Sequence, residues 1–165
     1  VIRVVVDDLA LVDADALVRP ATTTLEPISP ALRNLERVAG PRFQEQIRLS
    51  RALEIGAATV TAAGDLSAEF VIHAVIRSAT EPVSAPGVRL ALTGVAQRAL
   101  DWQFTRVALP PVGSGAGDLV METTADLTAE VFIPHLKEHA FPADLLIVVG
   151  TDEEREIFEA RIPGE

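Results

Sequence analysis

Runs of β-branched and aliphatic residues alternate along this chain with stretches of helical spacing, and that alternation constrains the fold more than any other feature. Val1 to Val6 reads as a buried strand. Ala14 to Val18 is a second apolar run, which Pro20 is expected to end. A Thr-, Pro- and Ser-containing loop follows from Ala21 to Pro30. Ser29-Pro30 has the form of an N-cap with proline at the first helical position, and the helix it opens carries Leu32, Leu35 and Val38 on one face as far as Gly40. Pro41 starts a further helix through Phe43, Ile47, Leu53 and Ile55, stopped by Gly56. Ala58 to Thr61 and Phe70 to Ile76 read as strands around a Gly64-Asp65 turn. After a proline-containing loop from Glu81 to Gly87, Val88 to Trp102 is a helix with Leu92, Val95, Ala96 and Leu100 inward. Arg106 to Val112 is a strand, Thr123 to His139 a helix broken or kinked at Pro134, Leu145 to Val149 the last strand and Asp152 to Ala160 a closing helix. Such an order implies a largely parallel or mixed sheet with helices on both faces. Ligands of such sheets sit at the carboxyl ends of the strands.

Composition narrows the function classes. The 165 residues fit one domain, 1–165, better than two, and a 48% hydrophobic content supplies a core. The absence of cysteine removes thiolate catalysis, disulfides and Cys-zinc sites together. A net charge of -10 repels phosphate backbones, so no nucleic-acid partner is expected. A small anion held by backbone amides remains compatible with that charge, because amide dipoles act locally. The opening apolar run is too short to span a bilayer and lacks the layout of a signal peptide, so no membrane partner is expected and a cytoplasmic location is. The first residue is Val1, as expected of a trimmed chain or a piece of a longer one.

The strand from Arg106 runs directly into a glycine-rich turn, Gly113-Ser114-Gly115-Ala116-Gly117. Glycines at alternate positions let a backbone approach a ligand closely and turn successive N–H groups inward. A helix beginning just beyond would add a partial positive charge, and Ser114 a hydroxyl. The alternative is an ordinary strand-to-helix loop that needs glycine for its geometry. The turn is not a Walker loop, because no Lys-Ser/Thr follows, nor a dinucleotide fingerprint, because the spacing differs.

The remaining chemistry-bearing residues are weighed singly. His135-Leu136-Lys137-Glu138-His139 matches a zinc-protease pattern, but Pro134 precedes it and little chain follows to supply a third ligand, so no metal site is assigned. His73 lies inside an apolar run, where a satisfied core histidine is favoured over a catalytic one. Asp7-Asp8 and Asp13/Asp15 could bind a metal or a ligand amine; solvated turn aspartates capping amides are the reading favoured for Asp7 and Asp13. Asp152, Glu153 and Glu154 complement a helix start. No Ser/His/Asp triad can be assembled, and Ser114 lacks the preceding glycine of a nucleophile elbow, so no catalytic residue is assigned.

Five stretches, in order, carry a family likeness. They are Asp8-Leu9 with Val12 and Asp15-Ala16-Leu17-Val18; Arg37-Val38-Ala39-Gly40-Pro41; Gly56 to Thr61 through Phe70 to Val75; Leu109-Pro110-Pro111-Val112-Gly113-Ser114-Gly115; and Leu145 to Val149 with Asp152-Glu153. Together they span nearly the whole chain and resemble the macro domain family, modules that bind ADP-ribose and related metabolites. The resemblance implies a three-layer α/β/α sandwich with a mixed, largely parallel sheet. It implies that Asp8 accepts from the adenine amine, that the Leu9 amide meets the base, and that Gly113, Ser114, Gly115, Ala116 and Gly117 cradle the diphosphate. His73 would be structural.

Departures from the pattern cluster in one place. The family's Asn-Ala-Ala-Asn stretch is here Arg19-Pro20-Ala21-Thr22, so Thr22 stands where the second Asn would contact the ligand. The following glycine run is replaced by Glu26-Pro27-Ile28-Ser29, and the Asp of many hydrolytic members falls near Leu32. The resemblance so altered implies a binding module for ADP-ribose, or for an ADP-ribosylated protein, with no cofactor and without the usual hydrolytic groups. Two alternatives stay open: a hydrolase of ADP-ribosyl or O-acyl bonds that positions water with Thr22 to Thr24 or Glu26, and a structural or oligomerisation domain that has lost the ligand.

Overall fold

The computed structural model describes residues 1–115 and 118–162. Six strands and five helices follow one another as β1 (Ile2–Val6), β2 (Ala16–Thr22), α1 (Pro30–Ala39), α2 (Pro41–Leu49), β3 (Ala58–Ala62), β4 (Phe70–Arg77), α3 (Ala85–Asp101), β5 (Arg106–Leu109), α4 (Met121–Glu138), β6 (Asp144–Val149) and α5 (Asp152–Glu159). A 3-10 turn, Leu9–Leu11, follows β1. The strands form one sheet in the order β1-β6-β5-β2-β4-β3. All neighbours are parallel except β3, which runs antiparallel to β4 at the edge.

Alternation along each strand sends side chains to two faces. Ala16, Val18, Ile72, Ile76, Leu109 and Ile147 pack on one face with helix residues such as Leu92, Val95, Phe132 and Phe158. Leu17, Val71, Ala108 and Val148 pack on the other with Leu35, Ala39 and Phe43. The result is the expected three-layer α/β/α sandwich with a mixed sheet. The Ser29 start of α1 is the one expected, and α3, which begins three residues before Val88, and α5 are capped in the same way. Ser29 Oγ accepts from Leu32 N–H at 3.3 Å, Ser84 Oγ from Gly87 N–H at 3.1 Å and Thr151 Oγ1 from Glu154 N–H at 3.1 Å.

Four elements depart from the sequence reading, the first being β5, which ends at Leu109 instead of running to Val112. β2 does not stop at Pro20 but continues to Thr22. Pro20 is tolerated because β5 pairs with β2 only at Ala16 and Leu17, so beyond Leu17 one side of the strand asks for no N–H donor. α2 ends at Leu49, short of Ile55; Leu53 instead donates its N–H to Thr23 O at 2.8 Å and packs under the loop that follows β2. α4 is not broken at Pro134 but continues through it to Glu138. No helix among the described residues is long and apolar enough to cross a membrane.

Candidate functional site

Where the β2–β5 ladder opens, the carboxyl ends of the parallel strands surround a cleft of about 620 Å³. Pro20 forms one lip and Pro110 and Pro111 the other. Asp7 to Ala10 close one end, Gly113 to Gly115 the floor beside β5, and Ser29 to Leu32 with Asn34 the α1 wall. Asp8, Leu9, Gly113, Ser114 and Gly115 all line this one cleft. Ala116 and Gly117 lie outside the described residues.

The Asp8 end is built from backbone geometry. Asp7 N–H donates to Val149 O at 3.1 Å, which ties the turn to β6. Asp8 Oδ1 accepts from Ala10 N–H at 3.0 Å and so caps the Leu9–Leu11 turn. Oδ1 alone makes that bond, leaving the second carboxylate oxygen for a further donor. Leu9 N–H is the first donor of a helical turn, which has no acceptor within the turn.

The glycine loop is held by two of its own carbonyls. Leu119 N–H donates to Gly113 O at 3.0 Å, and Asp118 N–H to Gly115 O at 3.1 Å. Gly113 has φ +92, and a Cβ there would lie 2.6 Å from Val88 Cγ2. Both the left-handed backbone and the space therefore require glycine. The helix expected to follow this turn begins at Met121, after Val120, so five residues separate its first turn from Gly115. Among the described residues, the charged ones on the cleft wall are Asp7, Asp8 and Asp118 against one cation, Arg77.

Thr22 is not on the wall of this cleft. It lines a neighbouring groove of about 640 Å³ together with Thr23, Thr24, Glu26, Ser78 and Glu81. Arg77 and Asp118 belong to both cavities. Thr22 Oγ1 accepts from Glu26 N–H at 3.1 Å and meets Thr24 Oγ1 at 3.2 Å, so it shapes the loop from within.

Behind that loop lies a buried polar network. Arg19 is fully buried and takes no part in the cleft wall. Its guanidinium pairs with the Glu36 carboxylate of α1, donates to Leu25 O at 2.5 Å, and meets His73 Nδ1 at 3.2 Å. Burial lowers the Arg19 pKa and the Glu36 charge opposes that shift; a guanidinium stays protonated in either case. An arginine can only donate, so His73 Nδ1 accepts and the proton sits on Nε2, which faces Thr61 Oγ1 at 2.8 Å. Phe43 stacks on the imidazole with ring centroids 5.7 Å apart. Burial, reinforced by the Arg19 charge, pushes the His73 pKa down to about 3. His73 is thus a neutral, satisfied core group. Leu25, at the tip of the loop, is fully buried with φ +62, a backbone region uncommon for a branched side chain. Its carbonyl held by Arg19 and its side chain packed with Ala21 and Val75 keep it there.

Other residues singled out by sequence resolve into structure. Asp15 Oδ2 accepts from the N–H groups of Thr105 and Arg106 at 2.6 and 3.0 Å. Glu154 Oε2 accepts from Gly150 N–H at 2.7 Å beside the Thr151 cap. His135 and His139 lie with ring centroids 4.7 Å apart, but His135 Nε2 is bonded to Phe141 O at 2.9 Å. Among the described residues no group of three His, Cys, Asp or Glu side chains could hold a metal ion. Sequence reasoning did not place Arg77, Asn34 or Asp118 at the cleft. Arg77, closing at its carboxyl end a strand whose one other polar residue is His73, is the signal that could have been read.

The macro domain family model matches residues 18–128, and the chain belongs to that family. Among relatives, it is 30% identical to an uncharacterized protein of Aeropyrum pernix, over 76% of this chain and 67% of that one. It is 28% identical to a Cronobacter sakazakii protein named O-acetyl-ADP-ribose deacetylase, over 99% of this chain and 94% of that one. Against uncharacterized mycobacterial relatives, at 27% identity, the chain spans only about a third of their length. Among solved structures, a mutant of the Oceanobacillus iheyensis macrodomain with ADPR superposes with a TM-score of 0.87 at 16% identity, covering 97% of this chain and 90% of that one. That last likeness is one of fold.

Proposed function

We propose that this macro domain binds ADP-ribose, or a related adenine-diphosphate metabolite, in the cleft between Asp8 and Gly115, without the family's usual hydrolytic side chains. The observation that carries the reading is the single open cleft that joins Asp8 and Leu9 to Gly113, Ser114 and Gly115. Its volume of about 620 Å³ is within the range of cavities that enclose small ligands. The Asp8 carboxylate supplies an acceptor for an exocyclic amine, and Leu9 N–H a donor beside it. The glycine loop lets the backbone close on a diphosphate, with Arg77 as a cation on the wall. The names of the deacetylase relative and of the ADPR-bound structural neighbour support the same ligand class.

Loss of the usual hydrolytic groups is supported by what replaces them. Arg19 is turned into the core and paired with Glu36, and Leu32 is buried on the α1 wall. A hydrolytic reading is favoured by one observation, the Glu26 carboxylate in the groove that shares Arg77 and Asp118 with the cleft. Titration calorimetry with ADP-ribose, ADP and AMP tests the binding reading. Saturable heat with ADP-ribose and ADP is expected; none with any of the three at millimolar concentration refutes it. Turnover of O-acetyl-ADP-ribose that is lost in Glu26→Gln would select the hydrolytic reading instead.

A further inference from the structure

The two edges of the sheet are finished differently. An edge strand exposes unpaired N–H and C=O groups, and a charged residue, a proline or a bulge ordinarily keeps a second strand from adding there. β1 carries Arg3, exposed in mid-strand. β3 has no such guard. No described strand lies beyond it, its register against β4 is unbroken, and from Ile55 to Gly64 the chain holds neither a charged residue nor a proline. Val75 N–H donates to Ala57 O at 2.9 Å and Ala63 N–H to Glu69 O at 3.0 Å, so alternate residues of this segment turn their backbone toward β4. The N–H and C=O groups of the others, Ala58, Val60 and Ala62, point to the free side.

This edge also reads the same in both directions, Gly56-Ala57-Ala58-Thr59-Val60-Thr61-Ala62-Ala63-Gly64. Two copies related by a two-fold axis present one patch to itself, and their edge strands run antiparallel. With Val60 on the axis, Val60 meets Val60, Thr59 meets Thr61 and Ala58 meets Ala62, and the outward backbone groups fall into register. Equal side chains then face one another, cross-strand threonine pairs support the ladder, and no like charges are opposed. The last point matters for a chain of net charge -10, whose copies repel. Two exposed apolar side chains of α3 stand at the ends of this edge. Leu90 fills the space beside Gly56, and Trp102 packs on Phe70, which pairs with Ala62. Antiparallel pairing brings the Leu90 end of one copy to the Trp102 end of the other. We infer that β3 is an interface for a second copy of this chain, two β3 strands pairing antiparallel about Val60 to join the sheets of two protomers into one. The interface is separate from the cleft, which no residue from Gly56 to Gly64 lines.

Sedimentation velocity on the whole chain, from micromolar to millimolar concentration, tests the interface. A species of twice the chain mass is expected, and its share should grow with salt as the repulsion between the two net charges is screened. Trp102, the only tryptophan, should move its emission to shorter wavelength over the same range. Val60→Pro removes an N–H that points away from β4, so the β3–β4 ladder is kept while the dimer loses its centre. Ala62→Lys sets a charge at an exposed position of the edge. Each should weaken the dimer by about tenfold or more. Arg3→Glu, on the other edge, should leave it unchanged. Thermal unfolding at micromolar concentration checks that each variant folds. A monomer at millimolar concentration overturns the assignment. So does a dimer indifferent to both Val60→Pro and Ala62→Lys, or one lost in Arg3→Glu.

Discussion

The two walls of the cleft are made in opposite ways. On the Asp8 and Gly113 side, backbone geometry faces the opening: a capped 3-10 turn with its first N–H unspent, and a glycine loop braced from behind by Leu119 and Asp118. On the β2–α1 side, the strongest polar group, the Arg19 guanidinium, faces inward. Arg19, Glu36, His73, Thr61 and the Leu25 carbonyl satisfy one another beneath the loop. One wall keeps donors and acceptors available; the other spends them on its own architecture. A loop that positions polar side chains for a ligand cannot also use them to hold its own strained backbone, and here Leu25 at φ +62 is what the network holds.

The largest test of this contrast is removal of the buried cation. Arg19→Ala leaves Glu36 and the Leu25 carbonyl without their partner and should destabilise the fold by about 3–5 kcal/mol in denaturant melts. Replacing both ends of the pair, Arg19→Leu with Glu36→Leu, should recover most of that loss, because an uncompensated buried charge and not a missing attraction sets its size. A double variant as unstable as the single one would mean that the network holds the loop in some other way.

Next in size is the glycine loop. Gly113→Ala meets Val88 at 2.6 Å in a left-handed backbone, so roughly 2–4 kcal/mol of stability should be lost. Ligand affinity should fall with it, since the loop itself is displaced. Asp8→Ala, by contrast, touches an exposed carboxylate. It should weaken ADP-ribose by about tenfold while leaving the melting temperature within a few degrees.

The smallest expected effect is a pH slope from His73. Its folded pKa lies near 3, below the unfolded value, so the unfolded chain takes up a proton first as pH falls. Stability contributed by the neutral imidazole is complete above about pH 7 and is progressively lost below the unfolded pKa of about 6.5, down toward pH 3. Between about pH 7 and 5.5 the loss should be about 1 kcal/mol. Melts of His73→Leu across the same range should lack this component.

The contrast also explains what could be read without coordinates. Period-two and period-3.6 patterns depend on neighbours in sequence, and they located every strand and most helices, together with the Ser29 cap where α1 begins. The Asp8 turn and the glycine loop are local motifs too, and so were legible. Arg19 with Glu36 was not. Nothing within a few residues of Arg19 reveals that a carboxylate seventeen positions later will meet it inside the core. An arginine between Val18 and Pro20 in an apolar strand signals only that some partner must exist. The overextended α2 and the early end given to β2 have one physical origin. Leu53 and Pro20 answer to the tertiary environment of the β2–α1 loop, through Thr23 and through the missing β5 neighbour, and not to local propensity.

That the backbone-built wall faces the ligand is tested most directly by amide chemical-shift mapping during titration with ADP-ribose. Saturable shifts are expected at Asp8, Leu9 and Ala10 and at Gly113, Ser114 and Gly115, with the amide of buried His73 unmoved. Shifts confined to the groove between α3 and α4, around Arg89 and Gln97, or no shift at millimolar ligand, would contradict it.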